Sequence, residues 1–92
     1  MVEKEKTIER KFKQAVKDAG GWSLKLLPYL VKGLPDQIAL LPGGVVFFAE
    51  IKTTGKLPTK VQLFVHGKIR KLGFKVYVID STNEISRIKE IN

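Results

Sequence analysis

The chain has 92 residues, 17 Lys and Arg against 9 Asp and Glu, and a formal net charge of +8. That length makes one domain, read as residues 1–92, with a thin core that a second subunit would usefully extend. The absence of cysteine excludes disulfides, Cys-ligated zinc and thiol catalysis, and the 43% hydrophobic content argues for a globular fold.

In chain order, residues 3–19 are expected to form a helix. Ile8, Phe12 and Val16, with Ala15 and Ala19, share one face at i, i+4 spacing, and Gly20-Gly21 ends it. No apolar h-region of a secretory signal appears at this charged end. Trp22, Leu24 and Leu26 alternate with Ser23 and Lys25, which predicts a strand over 22–27 with Trp22 in the core. After a loop at 28–33, a mostly apolar strand is expected over 36–41. Pro42-Gly43-Gly44 then turns the chain into a third strand over 45–52, so that the two form a hairpin. Both apolar runs are too short to cross a bilayer.

A loop at 53–58 leads into a helix over 59–72. Thr59 is its N-cap, Gln62 stands in capping-box position, and Val61, Val65, Ile69 and Leu72 are its expected buried face. Gln62, His66 and Arg70 form a second stripe, expected to face outward. A fourth strand over 74–79 and a short final helix, capped near Ser81 and burying Ile85 and Ile88, complete an αβββαβα order. This is an α/β layer architecture.

Between Ile51 and Ile79 stand seven basic residues and no acid, and two carboxylates, Asp36 and Glu50, lie just upstream. A basic surface with embedded carboxylates suits a polyanion that undergoes metal-assisted chemistry. Glu50 and Lys52 project from the same face of a strand because side chains alternate, and a hairpin partner can bring Asp36 beside Glu50. Hard oxygen ligands of this kind suit Mg²⁺ or Mn²⁺. Phosphodiester hydrolysis needs such a set: a nucleophilic water, neutralisation of the phosphate charge, and help for the leaving oxygen. Alone, a Glu-x-Lys on an edge strand is commonly a surface ion pair worth roughly 0–1 kcal/mol. The apolar strand and the neighbouring Pro35-Asp36 favour a site.

Gly33-Leu34-Pro35-Asp36 followed by Phe48-Ala49-Glu50-Ile51-Lys52 resembles the PD-(D/E)xK nuclease superfamily. With Gly55, Leu57, Gln62 and Leu72-Gly73, the chain is similar to a stand-alone VRR-NUC domain of the phage type, from about Glu5 to Asp80. The resemblance implies a restriction-endonuclease-like core with a mixed central sheet flanked by helices. It further implies a metal-dependent endonuclease that acts on DNA, with four-way (Holliday) junctions or other branched DNA as substrate and a homodimer as the working form. By the same resemblance Asp36, Glu50 and the Ile51 carbonyl would ligate Mg²⁺ or Mn²⁺. Glu9, or Glu5 one turn before it, would add the helix-borne acid. Lys52 would be the catalytic lysine, and Gln62 would line the site. Many relatives carry a Gly or Ala-Pro-Gly pattern where this chain has Thr53-Thr54-Gly55-Lys56 after Lys52.

Lys56, Lys60, His66, Arg70 and Tyr29 are the expected nucleic-acid contacts. The expected location is the cytoplasm of a bacterium or phage-infected host, with no membrane partner. The competing reading is a non-catalytic basic nucleic-acid-binding module on a nuclease-like fold.

Overall fold

The computed structural model describes residues 2–27 and 30–90. Tyr29, an expected nucleic-acid contact, lies outside the described residues. The elements follow the expected order: α1 (Glu5–Asp18), β1 (Trp22–Lys25), β2 (Gln37–Leu41), β3 (Val45–Ile51), α2 (Lys60–Lys71), β4 (Lys75–Ile79) and α3 (Thr82–Ile85), with a 3₁₀ turn at Ser86–Glu90. Among the described residues no helix is long and apolar enough to cross a membrane.

The strands form one sheet in the order β1-β2-β3-β4. The first three are antiparallel, as short connections require, and β4 runs parallel to β3 through the α2 crossover. The mixed sheet is therefore a consequence of where the chain spends twelve residues on a helix instead of a tight turn.

Odd-numbered residues of β2 and β3 point to one face. Ala39, Leu41, Phe47, Ala49 and Ile51 meet Ile8, Phe12 and Val16 of α1 there, closed at the end by Ile79, Ile85 and Ile88. Phe12 and Tyr77 both meet the Phe47 ring edge-on, with centroids 6.1 and 5.4 Å away. The opposite face carries Ile38, Phe48 and Glu50; Gln62 and His66 of α2 reach Glu50 there, and Phe74 meets Phe48 edge-on.

Trp22 is not core. It is 64% exposed, because β1 is the sheet's outer strand and pairs only with β2. On α2 the helical period is as expected but its phase differs. Val61 and Leu72 are exposed, at 40% and 77%, whereas His66 is fully buried. The side of the sheet beneath α2 presents a carboxylate, and the polar stripe Gln62–His66 turns inward to meet it. Val65 and Ile69 of the apolar stripe are half-buried, while its ends, Val61 and Leu72, face out. Thr59 and Gln62 form the expected reciprocal capping box.

Two glycines are required by close approach. Gly33 has φ +88°, and a Cβ there would lie 2.7 Å from the Val61 carbonyl. The loop before Asp36 is thus pressed on the first turn of α2. Gly21 lets the α1–β1 turn pack closely on β2, where a Cβ would lie 2.5 Å from the Leu40 carbonyl oxygen.

Candidate functional site

The hairpin register sets the geometry. Gln37 faces Ala49, so one residue further the same ladder brings Asp36 opposite Glu50. Asp36 Oδ2 accepts the Ile51 N–H at 2.8 Å, which holds this carboxylate at the mouth of the β2–β3 pair. Glu50 lies inside, 2% exposed. Its Oε2 accepts from Gln62 Nε2 at 3.2 Å and stands 3.8 Å from Lys52 Nζ. Its Oε1 stands 3.5 Å from His66 Nε2.

Burial first, then the charge of Asp36 and the hydrogen bond to it, push the Glu50 pKa up to about 8, against the opposing pull of Lys52. Two carboxyl groups in contact cannot both ionise cheaply in a dry site. Burial likewise pushes the His66 imidazole below its ordinary value, reinforced by the charges of Arg70 and Lys52.

Asp36, Glu50, Lys52 and Gln62 are therefore brought together. The backbone of Ile51 joins them through its N–H, which donates to Asp36. Glu9 does not join. Its Oε1 accepts from Gln37 Nε2 at 3.0 Å and pairs with Lys25 Nζ at 3.2 Å. Gln37 is an odd-numbered β2 residue, so Glu9 is held on the α1 face while Glu50 looks into the other. The α1 acid whose charge is felt at Glu50 is Glu5. The segment after Lys52 positions it: Thr53 Oγ1 accepts the Glu5 N–H, and Thr54 bonds both Glu3 and Asp80. The Thr53-Thr54 pair thus ties the start of α1 to the end of the sheet that carries Asp36, Glu50 and Lys52.

Among the described residues no group of three or more His, Asp or Glu side chains converges as a ready metal cage. The donor set nevertheless fits a hard divalent cation. Mg²⁺ and Mn²⁺ are commonly held by one or two carboxylates and complete their shell with water and substrate phosphate. Glu50 Oε1 is buried with no hydrogen-bond partner among the described residues, and a cation beside Asp36 and Glu50 would let both groups ionise.

Lys56 and Lys60 are exposed on either side of the loop leading to Gln62, beside the site. His66 cannot contact a polyanion, because it is wholly buried against Glu50. Arg70 directs Nη2 to the Val76 carbonyl at 2.6 Å, which ties its guanidinium to the protein's own backbone. Sequence reasoning passed over a basic stripe on the outer face of α1, formed by Lys6, Arg10, Lys13 and Lys17. The signal was present as an i, i+4, i+7, i+11 spacing of basic residues, masked by the many other charges of that helix.

No protein-family model matches the sequence. It is, however, 34% identical over 89 residues to the protein named "Putative nuclease p44" of Acyrthosiphon pisum secondary endosymbiont phage 1, covering 97% of this chain and 96% of that one. A solved structure described as a VRR_NUC domain superposes with a TM-score of 0.87 at 31% identity, over 94% of each chain. Near-full-length likeness in both sequence and fold shows that the chain belongs to the VRR-NUC nuclease family.

Proposed function

We propose that this protein is a divalent-metal-dependent DNA endonuclease that cuts branched DNA, four-way junctions foremost, as a homodimer. The observation that carries the reading is the convergence of Asp36, Glu50 and Lys52 on one sheet face, with Glu50 buried and one oxygen unpartnered. A decorative ion pair has no reason to sit inside the protein beside a second carboxylate.

Asp36 and Glu50 would hold Mg²⁺ or Mn²⁺, with Glu5 near enough to add charge or a water-mediated contact. When bound, such an ion lowers the pKa of its water and neutralises phosphate charge. Lys52 carries a cation to within 3.8 Å of Glu50 Oε2. There it orients the attacking water and offsets the charge that builds on phosphorus-bound oxygen. Gln62 keeps the Glu50 carboxylate in place through Oε2. Lys56, Lys60 and the exposed α1 stripe would supply phosphate contacts, which give affinity without reading sequence.

Support for the homodimer comes from the outer face of α2. Phe64 is 68% exposed and lines an apolar groove with Val31, Leu34, Val61 and Leu72. An apolar patch of this kind on a domain with so thin a core suits a second copy. A two-fold pair would present two sites to the two strands of a symmetric junction.

The test is incubation of labelled linear, flap and four-way DNA with Mg²⁺, Mn²⁺ or EDTA. Cleavage is expected with metal only and best on branched substrates. Lys52→Ala and Asp36→Asn are each expected to lower the cleavage rate by about 10²-fold or more, with DNA binding retained. Undiminished cleavage by either variant would defeat the reading. Salt-sensitive binding with no cleavage under any metal would favour the non-catalytic module instead.

A further inference from the structure

His66 is the chain's one histidine, and the proposed chemistry has not used it. Its side chain is fully buried, and neither ring nitrogen has a hydrogen-bond partner among the described residues. A buried imidazole left in that state is costly, because its polar atoms have given up water for nothing. The nearest acceptor is Glu50 Oε1, 3.5 Å from Nε2, and that oxygen is itself buried and unpartnered. Two orphaned atoms of opposite character face each other across a gap about half an ångström too long for a good hydrogen bond.

The helix explains the arrangement. His66 follows Gln62 by four residues, so the two side chains leave α2 one above the other on the same face. Gln62 takes Glu50 Oε2, and His66 addresses Oε1. The carboxylate is bracketed, one oxygen to each side chain, from a single rigid element whose first turn is fixed by the Thr59–Gln62 capping box.

We infer that His66 is a positioning residue: its Nε2–H closes on Glu50 Oε1 and fixes the carboxylate in the orientation that binds the divalent cation. This rests on the metal-dependent reading above and adds a partner behind the ligand. Such supporting hydrogen bonds orient ligating carboxylates, and their loss commonly weakens metal binding by about 10- to 100-fold. The inference is specific as to atom, since a donor at Nε2 serves and a donor at Nδ1 does not.

The experiment uses the full chain and titrates Mn²⁺ alone by calorimetry, with DNA cleavage as a second readout. His66→Gln places an amide donor near the position of Nε2, whereas His66→Asn places one near Nδ1 and His66→Leu supplies none. His66→Gln is expected to bind Mn²⁺ within a few-fold of the native protein. His66→Asn and His66→Leu are expected to weaken binding about 10- to 100-fold, and to raise the metal concentration needed for half-maximal cleavage in parallel. Binding of linear DNA in EDTA should stay unchanged in all three. If His66→Leu fails to fold, the Gln and Asn variants decide the matter. Native-like Mn²⁺ affinity in a folded His66→Asn or His66→Leu variant overturns the role of His66 and leaves the nuclease reading intact. If the native protein binds no Mn²⁺, both fall together.

Discussion

Replacing Glu50 by Gln removes one ionisable group and almost no volume, and the effect on stability is predictable in sign. The folded-state pKa is pushed from 4.5 to about 8, first by burial and then by Asp36. Between those values the native protein keeps a proton that the unfolded chain has released, so stability falls as pH rises through the window and levels off above it. At about 1.4 kcal/mol per pH unit the full loss is at most roughly 5 kcal/mol, and relaxation with water entry brings the expected loss to about 2–5 kcal/mol. His66 acts in the opposite direction, because its pKa is lowered on folding. Its contribution is complete above about pH 6.5 and fades as pH falls below that. Glu84, whose pKa burial raises, adds modestly in the direction of Glu50. Comparing the native protein with Glu50→Gln cancels both. Urea unfolding in EDTA at about pH 5 and about pH 8.5 is the assay. The native midpoint is expected to fall by about 1–2 M relative to the variant over that interval, at a slope of roughly 1–3 kcal/mol per molar urea. Saturating Mg²⁺ should abolish most of the difference at the higher pH. Parallel pH profiles for the two proteins would refute both the burial argument and the contact with Asp36.

Neutralising the α1 stripe with Lys6→Gln, Arg10→Gln, Lys13→Gln and Lys17→Gln together should reduce the slope of log affinity against log salt by about 2 or more, at roughly 0.9 per phosphate contact. An unchanged slope removes α1 from the DNA path. Thr59→Ala is expected to cost about 1 kcal/mol through loss of the N-cap, seen as a fall in Tm of about 4–8 °C for a domain of this size; a native Tm would show that the capping box adds nothing. Phe64→Asp, on the exposed face of α2, should shift light-scattering mass from dimer to monomer and remove the dependence of Tm on protein concentration that a dimer imposes. A dimer that survives the substitution places the interface elsewhere.

Much of the fold was legible in the residues because it rests on local regularities. The α1 face of Ile8, Phe12 and Val16, the Pro42-Gly43-Gly44 hairpin, the Thr59–Gln62 capping box and the Ile85–Ile88 closure are each specified within a few positions. Strand alternation likewise put Glu50 and Lys52 on one side, and a short hairpin brought Asp36 to them. Which side of α2 turns inward was not a local property. Its apolar and polar stripes are both helical in period, and the choice was made by the buried carboxylate on the sheet beneath, 12 to 16 residues earlier in the chain. The placement of Glu9 was decided in the same way. Glu5 and Glu9 occupy similar faces of one helix, yet only the pairing of Gln37 with the α1 side of the sheet ties Glu9 away from Glu50. Periodicity fixes which residues share a face. The partner that face meets, and so whether a histidine faces solvent or a buried carboxylate, depends on contacts between segments that are distant in the chain.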